Sequence, residues 1–270
     1  MPVGSLPDKH AASSSTGAER ARVDAAYERQ APRRSRLWYV IARATMGFVA
    51  RSYSSVHVEG SESLPAGPVL LCFSHQCWID PMYVLAAVPH GPRVYFFGPQ
   101  EGDMRRGLRN RLMRSFGLVI PFAPGARGLL AATHRSVDLA RGGATIAIAG
   151  EGRIHSGESY LLPLKEGAAY IALRAGIPLV PVAINGTGWV GFRRRVRVRF
   201  GAAIAVPREP MRRPAPEQVA ALTGQAFESL AALVQDFGDQ RPSGRVGRWL
   251  TELFNHWPDG HRPEPGTPLP

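Results

Sequence analysis

The 270 residues, 44% of them hydrophobic, are enough for one sizeable α/β domain with tails, and their composition excludes collagen-like, mucin-like or wholly disordered chains. The formal charge of +12, carried almost entirely by arginine, favours polyanionic partners: nucleic acid, anionic lipid headgroups or phosphorylated substrates. The two cysteines, Cys72 and Cys77, make no disulfide framework, and the absence of any run of about 18 apolar residues predicts no transmembrane helix.

Residues 1–34 are polar, small and charged, without the apolar run of a signal peptide, and read as a disordered leader. Residues 35–54 predict an amphipathic helix whose apolar side includes Trp38, Val40, Ile41, Met46, Phe48 and Val49. It is too short to span a bilayer and contains Arg43, which suits a helix lying in the membrane interface or packed on the domain.

The domain is read over residues 55–240. Val56–Val58 is a short strand, and Val69–Phe73 a buried one, followed by a polar loop over Ser74–Pro81. Met82–Ala87 begins a helix, and Val94–Phe97 is the next strand. Met104–Phe116 predicts a helix with five arginines around an apolar stripe, the pattern of a segment drawn to anionic lipid. Leu118–Phe122 is a strand, Leu129–Ala140 a helix, and Thr145–Ala149 a buried strand. Ala168–Ala175 is helical and ends at Gly176, a natural C-cap. Leu179–Ile184 and Val196–Phe200 are strands, and the second alternates valine with arginine as an edge strand does. Pro216–Phe237 is a helix with proline in its first turn, where no amide donor is required. Residues 241–270 hold a short amphipathic helix, Leu250–Trp257, and a proline-rich tail. Strands alternating with helices predict an α/β fold with helices on the faces of its sheet.

Two loops carry the chemistry. In Ser74-His75-Gln76-Cys77-Trp78-Ile79-Asp80-Pro81 a buried strand delivers a histidine into a loop, with an aspartate five residues on. If the loop folds back, the carboxylate meets one imidazole nitrogen, fixes the tautomer and steadies the imidazolium formed when the other nitrogen takes a proton. Such a pair is a general base for an alcohol. In Ala149-Gly150-Glu151-Gly152-Arg153 glycines flank a glutamate after another buried strand, so backbone can approach a ligand closely and Arg153 can pair with phosphate. The Pro163–Ala169 segment and Val180-Pro181-Val182 read as α/β core.

The order and spacing of these blocks resemble the glycerolipid acyltransferase family of the bacterial 1-acyl-glycerol-3-phosphate acyltransferases. That family is marked by N-H-x-S-x-x-D-P, G-x-I-x-x-x-R, F-P-E-G-T-R-S and V-P-V blocks. Here Ser74–Pro81 matches the first block and Gly117–Phe122, with Arg127 beyond, a loosened second. Ala149–Arg153 matches the third and Val180–Val182 the fourth. Ser74 stands for the usual asparagine, Cys77 for serine, Ala149-Gly150 for Phe-Pro, and Arg153-Ile154 for Thr-Arg.

The resemblance implies a single mixed sheet flanked by helices. It implies His75 as the base and Asp80 as its partner, with Glu151 and Gly152 in the acceptor site and Arg127 and Arg153 on the acceptor's phosphate. Trp78 and Pro181 are assigned to the acyl pocket or to support of the loop. The acyl donor would be acyl-CoA or acyl-carrier protein as co-substrate, with no metal and no other cofactor. The acceptor would be a lysophospholipid, 1-acyl-glycerol-3-phosphate first, with glycerol-3-phosphate or a non-phosphate lipid alcohol behind it. The partners would be membrane lipids, with the chain peripheral on the cytoplasmic face.

Other readings compete. Cys77 could act as a nucleophile served by His75, but a catalytic thiol needs an imidazole in contact and an oxyanion hole. Cys72, His75 and Cys77 fall short of the four ligands of a structural zinc site. Nucleic-acid binding is suggested by Arg193–Arg199 and the 105–114 arginines, yet no recognition fold or aromatic RNA-binding signature accompanies them. A lipid-binding protein without catalysis is disfavoured by the presence of both His75 and Asp80.

Overall fold

The computed structural model describes residues 36–99, 118–122, 126–234, 237–238, 244–253, 255, 257 and 262–264. The expected leader, the arginine-rich helix at 104–116 and most of the proline-rich tail lie outside the described residues.

The described chain runs α1 (Arg36–Tyr53), β1 (Ser55–Glu59), a short 3-10 turn (Ser61–Ser63), β2 (Leu70–Phe73), α2 (Asp80–Ala87), β3 (Val94–Pro99) and β4 (Val119–Phe122). It continues through α3 (Ala126–Arg141), β5 (Thr145–Ala149), α4 (Gly167–Ala175), β6 (Leu179–Asn185), β7 (Arg195–Phe200), α5 (Pro216–Val234) and α6 (Gly244–Glu252). The strands form one seven-stranded mixed sheet in the order β1-β7-β6-β2-β5-β3-β4. Strands β6, β2, β5, β3 and β4 are parallel; β7 runs antiparallel to β6 and pairs with β1 in parallel.

Alternation along the central strands sorts the core into two layers. Leu71 and Phe73 of β2 and Val180, Val182 and Ile184 of β6 face α1 and α2. Leu70, Cys72, Ile146 and Ile148 face α3, α4 and α5. Both faces are covered, so these strands are continuous apolar runs rather than alternating ones, as parallel sheets require. α4 stops where predicted: Gly176 takes φ 70, and its amide closes on the Ala172 carbonyl at 2.9 Å.

Two elements differ from expectation. α2 starts at Asp80 rather than Met82, because Pro81 fits the first turn, where its missing N–H costs nothing, and an acidic residue there complements the helix dipole. The C-terminal helix spans Gly244–Glu252 rather than Leu250–Trp257. Asn255 and Trp257 lie beyond it, buried against the domain.

Because β2, β5 and β6 are parallel neighbours, their C-terminal ends lie side by side, and this is where an open α/β sheet places its ligand site. The antiparallel β1 and β7 begin at that same edge, so Tyr53 and the loop before Arg195 lie there as well.

Candidate active site

β2 ends at Phe73 and releases Ser74–Ile79 at the carboxyl edge of the sheet. The Ser74 amide bonds the Val182 carbonyl at 3.1 Å. Its hydroxyl accepts the Ile184 amide at 2.9 Å and donates to the Ile184 carbonyl at 3.3 Å. The serine that replaces the family's asparagine therefore stitches the loop to β6. Pro181 lies in the middle of β6, paired in register with Cys72. It supports the strand from which the loop springs.

His75 and Asp80 meet. The imidazole Nδ1 lies 2.9 Å from Asp80 Oδ2. The same oxygen accepts the Gln76 amide at 2.7 Å and the Cys77 amide at 2.8 Å. One carboxylate oxygen thus closes the loop around itself and holds the histidine ring. An acceptor at Nδ1 places the ring proton on that nitrogen and leaves the Nε2 lone pair to receive another. Asp80 is fully buried, whereas the His75 side chain is 18% exposed, so the edge away from Asp80 is the one that solvent reaches. Phe73 packs edge-on against the ring at 5.8 Å between centroids.

The glycine-flanked loop meets this one because β5 pairs with β2, Phe73 opposite Ala149. Gly150 donates its amide to the Phe73 carbonyl at 2.9 Å. A Cβ there would stand 2.6 Å from Cys72 Sγ and 2.8 Å from Leu164 Cδ2, so only glycine lets the strand ends approach this closely.

Glu151 is 1% exposed and engaged on both oxygens. Oε2 accepts the His75 amide at 2.8 Å, and Oε1 accepts the Leu162 amide at 2.9 Å with His155 Nε2 at 2.7 Å. Glu151 thereby holds the backbone of His75. Two backbone amides thus donate to a carboxyl sealed from water, with the His155 ring against it. Gly152 is exposed at the loop tip and Arg153 half-buried beside it. Arg127 lies in the first turn of α3, which follows the parallel strand β4 and so starts at the same edge of the sheet.

Trp78 points to the C-terminal segment. Its amide donates to Asn255 Oδ1 at 3.0 Å and its indole to the Leu250 carbonyl at 3.4 Å.

Cys77 is fully buried, 3.8 Å from the Asn255 amide, and burial together with the nearby Asp80 charge pushes its thiol up to about 12. Cys72 is likewise pushed to about 12 by burial and the nearby Glu151. Neither is a thiolate at neutral pH, which removes the cysteine-nucleophile reading. Among the described residues no group of three or more His, Cys, Asp or Glu is placed to hold a metal ion.

Several supporting residues were missed in the sequence. Gln76, fully buried, donates to the Gly157 carbonyl at 3.0 Å. Glu158 accepts the Gly186 and Gly188 amides at 2.7 and 2.8 Å and so fixes the turn after β6. His155 is 1% exposed and donates its amide to the His75 carbonyl at 3.2 Å. Only the loop pairing imposed by the sheet distinguishes these residues from ordinary polar ones.

The Acyltransferase family model matches residues 55–185. The chain is 27% identical over 151 residues to a chloroplastic 1-acyl-sn-glycerol-3-phosphate acyltransferase of Brassica napus, a match over 52% of this chain and 42% of that protein. It is 24% identical over 159 residues to the corresponding chloroplastic enzyme of Arabidopsis thaliana, over 58% of this chain and 43% of that one. The matched stretch thus spans less than half of either plant protein. The crystal structure of the 1-acyl-sn-glycerophosphate acyltransferase from Thermotoga maritima shares the fold, with a TM-score of 0.56 at 22% identity over 77% of this chain and 85% of that one.

Proposed function

We propose, from the match of residues 55–185 to the Acyltransferase family, that the chain is a glycerolipid acyltransferase that moves a fatty acyl group from a thioester donor onto the free hydroxyl of a lysophospholipid at a membrane surface. The observation that carries this reading is the His75–Asp80 pair, 2.9 Å apart, with the imidazole reached by solvent on its other edge.

In this mechanism Nε2 of His75 takes the proton of the acceptor hydroxyl as the oxygen attacks the thioester carbonyl. The new C–O bond forms while the carbonyl electrons move onto oxygen. Collapse of that oxyanion breaks the C–S bond and expels the thiolate, which the imidazolium can reprotonate. Asp80 keeps the ring in the right tautomer and opposes the charge that develops on it. A positioned general base contributes typically about 10²–10⁴-fold to a rate. No acyl-enzyme is required, which suits a site whose cysteines are buried thiols.

The preferred acceptor is 1-acyl-glycerol-3-phosphate, the acceptor for which the plant relatives are named. Arg153, in the loop after β5, and Arg127, in the first turn of α3, are the proposed grip on its phosphate; a guanidinium pairs with phosphate through two parallel hydrogen bonds. The donor is acyl-CoA or acyl-carrier protein.

Peripheral association has its own support. No helix of the described residues is long and apolar enough to cross a membrane. α1 buries Tyr39, Ala42, Met46 and Ala50 yet leaves Leu37, Ile41 and Phe48 exposed on its opposite side. A helix apolar on both faces, one of them unspent on the fold, suits the interface of a bilayer.

The test is mass spectrometry of products from the purified chain given acyl-CoA or acyl-carrier protein and a panel of acceptors. The panel holds 1-acyl-glycerol-3-phosphate, glycerol-3-phosphate, neutral and zwitterionic lysolipids, and a monoacylglycerol. The expected result is fastest esterification of 1-acyl-glycerol-3-phosphate. Equal rates for the monoacylglycerol would remove the phosphate grip, and no ester on any acceptor would overturn the reading.

A further inference from the structure

We propose that α6 is a second membrane contact, which seats the mouth of the His75 site on an anionic lipid surface; this rests on the peripheral reading above and names a surface for it.

α6 carries its apolar residues where the fold does not use them. Val246, Trp249 and Leu253 are 69%, 58% and 43% exposed. Spaced three and four apart, Val246 and Trp249 on the helix and Leu253 just past its last residue form one stripe, the Leu253 amide still bonded to the Trp249 carbonyl at 2.9 Å. The residues that pack α6 to the domain lie on another side: Gly247 and Thr251 are buried, and Thr251 Oγ1 accepts the Val190 amide at 2.8 Å. Between these sides stand the exposed Arg245 and Arg248, the latter 3.8 Å from Glu252 one turn on. An apolar stripe bordered by arginines is the pattern of a helix that lies in a headgroup layer, with the guanidiniums at the phosphates. The chain's formal charge of +12 draws the whole molecule toward the same kind of surface.

Position makes the stripe more than a stray patch. α6 touches the catalytic loop, because the Leu250 carbonyl accepts the Trp78 indole at 3.4 Å. It also connects to the end of α1. From the Thr251–Val190 bond the chain runs on to Phe192, 68% exposed, whose ring meets Tyr53 edge-on at 6.0 Å. Tyr53 is the last residue of α1. The exposed side of α1, Phe192 and the α6 stripe therefore follow one another around the edge of the sheet where His75 opens. A bilayer that covers α1 alone leaves the stripe in water. One that covers all three presents the acceptor's hydroxyl, which lies at headgroup depth, to the imidazole.

The experiment places a polarity-sensitive dye on α6. Both native thiols are buried, so V246C gives a single accessible labelling site, and Q225C on the exposed side of α5 is the control. Labelled protein is mixed with phosphatidylcholine vesicles with and without phosphatidylglycerol. The expected result is a blue shift at position 246 that requires the anionic lipid and exceeds any shift at 225. In parallel, V246S/W249S/L253S is expected to bind the anionic vesicles at least tenfold more weakly while keeping turnover of a short-chain acceptor supplied as monomers. If the intact chain binds vesicles but the dye at 246 shifts no more than at 225, this proposal falls and the peripheral reading stands. If the intact chain ignores vesicles of either composition, both fall. A shift that appears without lipid as protein concentration rises marks a self-association face and overturns the proposal, as does loss of monomeric-substrate turnover equal to the loss on vesicles.

Discussion

Asp80→Asn is expected to lower kcat by about 10²-fold or more while the protein stays folded. The asparagine oxygen has to occupy the place of Oδ2, because the buried amides of Gln76 and Cys77 point there and an NH2 group would oppose them. The loop therefore keeps its shape and the imidazole keeps an acceptor at Nδ1. What is lost is the negative charge, fully buried 2.9 Å from the ring, which lowers the energy of the imidazolium as the acceptor proton arrives. Asp80→Ala differs in kind: it also orphans two buried amides, at roughly 1–3 kcal/mol each, and melts earlier. Kinetics and thermal melts on both variants check this. Near wild-type turnover by Asp80→Asn would show that the charge plays no part in transfer.

Glu151→Ala is expected to be the most destabilising single change at the site. It removes the acceptor for the His75 and Leu162 amides and the partner of His155, all within buried structure. Removing one partner from such a cluster costs about 3–5 kcal/mol. For a domain of this size each kcal/mol lowers Tm by roughly 2–4 °C, so a fall of about 10 °C is anticipated. The surviving folded fraction should lose kcat, because the His75 backbone is no longer pinned, with little change in the acceptor KM. A variant that melts like the wild type and differs only in a raised acceptor KM would return Glu151 to the substrate contact that the motif suggested.

The strands were legible because they are fully buried apolar runs, such as Leu70–Phe73 and Thr145–Ala149, bounded by glycine, proline and polar loops. The His75–Asp80 contact was legible from spacing, since an aspartate opening a helix five residues on lies where a returning loop ends. The hydrogen bonds of Glu151 were not legible because they depend on the pairing of β2 with β5, a contact between residues 76 apart in the chain. The same long-range pairing turns His155 from a generic histidine into a neighbour of the site. α6 was placed six residues too late because Gly244 and Gly247 weaken the helical signal of its first turn, while Asn255 and Trp257 look helical by spacing but are held in irregular backbone.

One side chain carries the chemistry in this account, and a single comparison tests it. Purified wild-type chain and His75→Ala, matched for secondary structure and melting, are given acyl-CoA and 1-acyl-glycerol-3-phosphate, and the diacyl product is counted by mass spectrometry over a fixed time. The alanine chain is predicted to form about 10²–10⁴-fold less diacyl product. Equal product from the two chains would mean that the imidazole at position 75 is not the base.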